Sequence, residues 1–155
     1  MKFVLIVIGR TKENYLINGI DLYNKRLKHY MNFEILELNK IKNNNLSKNE
    51  LVKKEGEYIL KNIKPSDYVI LLDSKGILST SYKFSEKLNK LFLNSKKRCV
   101  FVIGGAYGFS NLVYDRSNEK LSLSEMTFSH QLVRLLFLEQ LYRACTIINN
   151  EPYHN

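Results

Sequence analysis

The residues best suited to chemistry in this chain sit in two polar loops late in the sequence. Gly104-Gly105-Ala106-Tyr107-Gly108 follows directly on the apolar run Cys99-Val100-Phe101-Val102-Ile103, and Glu125-Met126-Thr127-Phe128-Ser129 follows a shorter apolar segment at 120–124. Glycines at a strand end leave out side chains, so backbone N–H and C=O groups can approach a ligand closely. The familiar phosphate loops do not fit. The G-x-G-x-x-G spacing is absent and the run lies far from the first strand, which argues against a dinucleotide site, and no Gly-Lys-Ser/Thr follows for a triphosphate. Hydrolysis is equally poorly served: His29, His130 and His154 are far apart and no serine sits in a nucleophile-elbow pattern. The acidic residues are scattered, with no pair suggesting a metal or glycosidase site. Cys99 and Cys145 lie in apolar segments without His or Cys at metal spacing, so they read as buried thiols.

These loops need elements to hold them. Residues 1–9 begin with a strand of continuous apolar character. Leu16, Ile20, Tyr23, Leu27 and Tyr30 then recur at helical spacing over 12–30. Residues 33–38 partly alternate, as an edge strand does, and lead into a basic loop at 39–45. Ser47-Lys48-Asn49-Glu50 is a capping box, and the helix it opens carries Leu51, Val52, Tyr58, Ile59 and Ile63 as its apolar stripe. Tyr68-Val69-Ile70-Leu71-Leu72 reads as a buried strand that stops at Asp73. Phe84, Leu88, Leu91 and Phe92 mark a third helix, closed by a polar turn at 94–98. The alternation predicts an α/β fold over residues 1–155, one domain with a mostly parallel sheet covered by helices on both faces. In such sheets ligands bind beyond the carboxyl ends of the strands, here the loops after Leu72, Ile103 and Leu123.

A formal charge of +9 and a pI near 9.5 favour a polyanionic partner such as nucleic acid, although a lysine- and asparagine-rich composition can produce the same excess without one. No run approaches the ~20 apolar residues of a membrane span, so no membrane partner is expected. Lys2 before an apolar run resembles a secretory leader but lacks a small-residue cleavage site, which predicts cytoplasmic residence. The last helix, 130–148, is apolar nearly all round, and in a chain this small a second buried side suggests a partner subunit. On it, Glu139 and Arg143 are four apart and could form a surface ion pair, while the terminal residues 151–155 would ordinarily fray.

Taken together, several segments resemble the ribosomal RNA large subunit methyltransferase H family. They are the strand-glycine unit 101–108, the run from Leu121 through Met126-Thr127-Phe128-Ser129-His130-Gln131-Leu132-Val133-Arg134, the segment Glu139-Gln140-Leu141-Tyr142-Arg143-Ala144, and the ending Tyr153-His154. Residues 1–9 and Lys54-Glu55-Gly56 also fit the pattern. The resemblance spans essentially the whole chain. It implies a fold of the SPOUT class with a C-terminal trefoil knot, a homodimer, S-adenosylmethionine as methyl donor without a metal, and methylation at N3 of a pseudouridine in 23S rRNA on assembled ribosomes. By motif position it implies a cofactor pocket of Leu72, Gly104, Gly105, Leu123, Ser124, Glu125, Met126, Thr127 and Phe128.

The acceptor N3 carries a proton at neutral pH, so the reaction needs a base or a cation that stabilises the anion. His154 is the candidate base because imidazole is the side chain that ordinarily titrates near neutrality. Arg143 is the alternative, acting by charge, with Tyr153 and His130 positioning. The family usually has a basic residue or a second histidine after Tyr-His, where this chain has Asn155, which implies weaker tail contacts to RNA. Two other readings stay open: a non-catalytic RNA-binding ribosome factor, and a metabolic enzyme using another adenine-containing cofactor.

Overall fold

The first strand, β1 (Lys2–Ile8), buries both faces. Phe3, Leu5 and Val7 enter one core layer and Val4, Ile6 and Ile8 the other, which is why its sequence does not alternate. The computed structural model describes residues 1–42, 44–94 and 98–154. Asn43 in the basic loop, 95–97 in the polar turn and Asn155 fall outside them. After β1 come α1 (Asn14–Leu27), β2 (Asn32–Leu38), α2 (Lys48–Lys61), β3 (Tyr68–Leu78), α3 (Ser81–Phe92), β4 (Arg98–Ile103), α4 (Asn111–Arg116), β5 (Glu119–Ser122) and α5 (Leu132–Ile148).

The strands form one sheet in the order β2-β1-β4-β3-β5, every neighbouring pair parallel. The α/β expectation therefore holds, with β2 on an edge as its partial alternation suggested. Apolar residues of α1, α3 and α5 pack on one face, and Ile59 of α2 with Val113 of α4 on the other. The two crossovers that step one way across the sheet, β1 to β2 and β3 to β4, use the first face. The two that step back use the second. That division keeps a single crossover hand, and it brings every strand's carboxyl end to the same edge.

Local structure departs from the sequence reading in three places. β3 continues past Asp73 to Leu78: Leu121 pairs with both Leu72 and Ile77, and the residues between bulge outward. Gly76 allows this, because a Cβ there would lie 2.7 Å from Leu121 backbone atoms. Helix α4 has no counterpart in the periodicity, being six residues long. The capping box of α2 is present in both directions, Glu50 N–H to Ser47 Oγ at 3.2 Å and Ser47 N–H to Glu50 Oε2 at 3.1 Å. Yet its buried side is Leu51, Glu55, Gly56 and Ile59, with Val52, Tyr58 and Ile63 only half-buried.

Arg134, in the first turn of α5, is 2 % exposed. Its guanidinium donates to the carbonyls of Ile8 (2.7 Å), Gly9 (2.9 Å) and His130 (3.2 Å) and to Thr11 Oγ1 (3.1 Å). It thus joins the end of β1 to the start of α5. Arg134→Met keeps an unbranched apolar stem but leaves buried carbonyls without donors, and is expected to lower the unfolding free energy by about 3 kcal/mol in urea titrations. An unchanged midpoint would show that these bonds do not hold the two elements together.

Candidate active site

A cleft of about 370 Å³ opens where β3, β4 and β5 end. Of the residues expected in a pocket, Leu72, Gly104, Gly105, Leu123, Ser124, Met126, Thr127 and Phe128 line it, whereas Glu125 is exposed and is not among the lining residues. Asp73, Phe109 and Ser129, which belong to the strand-end loops, also line the cleft, and His130 and Val133 at the start of the last helix join them without having been expected there.

The floor is main chain. A Cβ on Gly104 would lie 3.1 Å from the Phe109 ring and 3.3 Å from the Gly108 carbonyl, and one on Gly105 only 2.5 Å from Glu55 Oε2. Gly108, at φ +81°, turns the loop back so that its N–H donates to Gly105 O at 3.2 Å. The opposite wall is fixed by its own polar groups. Ser122 Oγ donates to Ser124 O at 2.9 Å and Ser124 Oγ accepts from Met126 N–H at 2.9 Å. Ser129 then holds the turn ahead of α5, its Oγ accepting from Leu132 N–H at 3.1 Å. At the end of β3, Asp73 accepts from Tyr114 Oη at 2.5 Å and from Lys75 N–H at 3.1 Å, tying this corner to α4. Burial, then the bond to Asp73, pushes the Tyr114 phenol up to about 12, so it stays a donor.

Two titratable groups adjoin this floor and wall. His130 is half-buried and held below the usual imidazole value by burial first, then by the charges of Arg134, Lys40 and Lys12. Glu55, 5 % exposed, stands behind Gly105 with no hydrogen-bond partner among the described residues. Burial raises its carboxyl above the ordinary range, against the opposing pull of Lys40. Its place on the inward stripe Leu51, Glu55, Ile59 was legible as an acid at core spacing.

The three residues expected to act on a substrate assemble elsewhere. Arg143 donates to Glu139 Oε1 from Nε (3.0 Å) and Nη2 (2.5 Å), and from Nη1 to His154 Nδ1 at 3.0 Å. The Tyr153 ring lies 4.9 Å from the guanidinium and its hydroxyl donates to Glu139 Oε1 at 3.1 Å, while Tyr82 meets the His154 ring edge-on. The tail is therefore docked, contrary to the expectation that it frays; Tyr30, donating to Glu151 Oε2 at 2.6 Å, adds to the anchorage. Arg143 has no acceptor, so Nδ1 of His154 accepts and a neutral ring carries its proton on Nε2. None of the three lines the cleft. Glu139 lines a second hollow of about 340 Å³, which shares Leu121, Ser122, Leu123 and Phe128 with the first.

The family model described as "Predicted SPOUT methyltransferase" matches residues 1–154. A protein of Parabacteroides distasonis named ribosomal RNA large subunit methyltransferase H is 54% identical over 156 residues, covering 100% of this chain and 99% of that one. One of the same name from Cytophaga hutchinsonii is 50% identical over 155 residues, covering 100% of both. Among solved structures, the tRNA (m1G37) methyltransferase of Aquifex aeolicus superposes with a TM-score of 0.58 at 16% identity, covering 100% of this chain and 75% of that one, and so shares the fold.

The buried Glu55 carboxyl has a pH signature. Its raised value means that the folded chain binds this proton more tightly than the unfolded chain, so stability falls as pH rises from about 4.3 through the folded value. Glu55→Gln removes the ionisation. The variant should melt higher than the parent near neutral pH and lose that advantage at about pH 4; parallel melting curves at all pH values would refute the assignment.

Proposed function

This chain belongs to the SPOUT methyltransferase family, and from that premise we propose that it methylates N3 of a pseudouridine in 23S rRNA, taking the methyl group from S-adenosylmethionine. The observation that carries the reading is the cleft itself: backbone at Gly104 and Gly105, apolar walls from Leu72, Leu123 and Phe128, and a volume in the range of small-molecule sites. Those residues would hold the adenosine part, with main-chain groups of 123–128 reading its polar edge. When bound, the donor supplies an activated methyl on a sulfonium sulfur. The chain's own task is then chiefly alignment, keeping the acceptor nitrogen in line with that methyl.

On this reading residues 1–155 form one domain, with the C-terminal segment passing through a loop as a trefoil knot, and the protein works in the cytoplasm on assembled ribosomes. It does so as a homodimer. Ile77, Leu78, Tyr82 and Phe128 leave apolar surface exposed around the second hollow, a face that suits a second copy. Because the Arg143, Tyr153 and His154 cluster lies off its own cleft, we assign it to the cleft of the other protomer. There the N3 proton passes to solvent water while Arg143 stabilises the anion it leaves, and Tyr153 and His154 position the nucleobase. With Nδ1 of His154 engaged by Arg143, charge stabilisation fits this geometry better than proton abstraction by the imidazole.

S-adenosylmethionine should raise the melting temperature, and assembled ribosomes from a strain lacking the gene should accept labelled methyl, mapped by mass to one pseudouridine. A melting shift without transfer would favour another adenine-cofactor enzyme, and ribosome binding without either a non-catalytic factor. Gly104→Trp should abolish cofactor binding in a folded protein, while His154→Ala should slow transfer more than it weakens cofactor binding. Mixed and allowed to exchange, these two impaired variants should gain about a quarter of wild-type activity over their separate contributions, since half the dimers then hold one intact site made from both chains. No recovery would place cluster and cleft in the same protomer's reaction.

A further inference from the structure

We infer that one rim of the cleft, formed by Arg10, Lys12, Lys40 and Lys48 with the Tyr107 ring beside them, is the surface that takes the sugar-phosphate backbone of the acceptor RNA strand. The inference rests on the proposed RNA substrate and specifies which of the chain's many cations meet it.

Three loops make this rim, and their main chain is held. Gln131 accepts from Lys12 N–H at 3.1 Å and donates to Arg10 O at 3.1 Å, so both cations project from a segment fastened to α5. Arg134 fastens the same segment from inside through Ile8, Gly9 and Thr11. Gly9 N–H donates to Leu38 O at 2.6 Å, and a Cβ on Gly9 would lie 3.8 Å from Lys40 Cβ, which brings the loop after β2 alongside. Farther round, Lys48 Nζ lies 4.9 Å from the centroid of Tyr107, a ring 50% exposed in the glycine loop. The cations remain available. None of the four forms a salt bridge among the described residues, and the acids on the same segments are the exposed Glu13, Glu37 and Glu50 and the buried Glu55.

Spaced cations with an exposed aromatic suit a single strand, in which phosphates meet the cations and a base splayed from the stack lies on the ring. The other lysine stripe, Lys83, Lys87 and Lys90 on α3, does not compete. It lies beside Tyr68 and Glu119, at the amino ends of β3 and β5, and Lys87 is paired with Glu119.

The test uses the full-length protein with a short oligouridine RNA and with assembled ribosomes, each over a range of salt. The triple variant Lys12→Ala, Lys40→Ala, Lys48→Ala should bind both at least tenfold more weakly. Its log-log salt slope should be shallower by about 2, at about 0.7 per lost phosphate contact on a single strand. Tyr107→Leu should weaken binding about tenfold without changing the slope. Lys83→Ala, Lys90→Ala should leave binding and slope as in the parent, and all variants should keep their affinity for S-adenosylmethionine. Unchanged RNA binding in the triple variant, or an equal loss in the α3 control, overturns the inference. If the parent binds RNA with the expected salt slope but transfers no methyl, the proposed function fails and the surface stands. If it methylates normally after the triple substitution, the surface fails and the function stands.

Discussion

The loop after β1 and the start of α5 depend on a buried cation that binds no anion. The Arg134 guanidinium spends its donors on the carbonyls of Ile8, Gly9 and His130 and on a threonine hydroxyl. A parallel strand that ends in the middle of a sheet leaves its last carbonyls facing inward, where an unmade bond is expensive. One planar side chain with several fixed donors closes that gap and joins the first strand to the last helix, two elements 126 positions apart in sequence. The loop after β1 and the wall at His130 are held in the same act.

With that edge fixed, the cleft can be built mostly from backbone. A Cβ on Gly104 would sit tightly against Phe109 and Gly108, and one on Gly105 would run into the Glu55 carboxyl behind it. The opposite wall is set by serine hydroxyls bonding to neighbouring main chain, a local device independent of distant contacts. Glu55 is the exception, an acid buried against the glycine loop that costs stability whenever it ionises.

Charge is divided between two places. The Arg143, Tyr153 and His154 cluster is neutralised internally by Glu139 and rigidly packed, as a group needed in one orientation would be. The rim cations are solvated and unpaired with acids, as groups that exchange counterions for phosphates would be. This contrast explains why net charge alone is a poor guide to where a polyanion binds.

Much of this was legible in the sequence, since strands buried on both faces read as unbroken apolar runs and helices by their period. The loops after Leu72, Ile103 and Leu123 followed from parallel order alone, because parallel strands all end at one edge. The family resemblance then supplied a purpose for them. What sequence could not contain was the long-range geometry: that Arg134 turns inward to β1, that Glu55 lies behind Gly105, that the bulge at 73–76 lets β3 run on to Leu78, and that the tail docks on α5 away from its own cleft. Periodicity records which face of an element is buried, but not which distant carbonyl or carboxylate meets it there. Those contacts exist only once the sheet has assembled and brought the chain's two ends together.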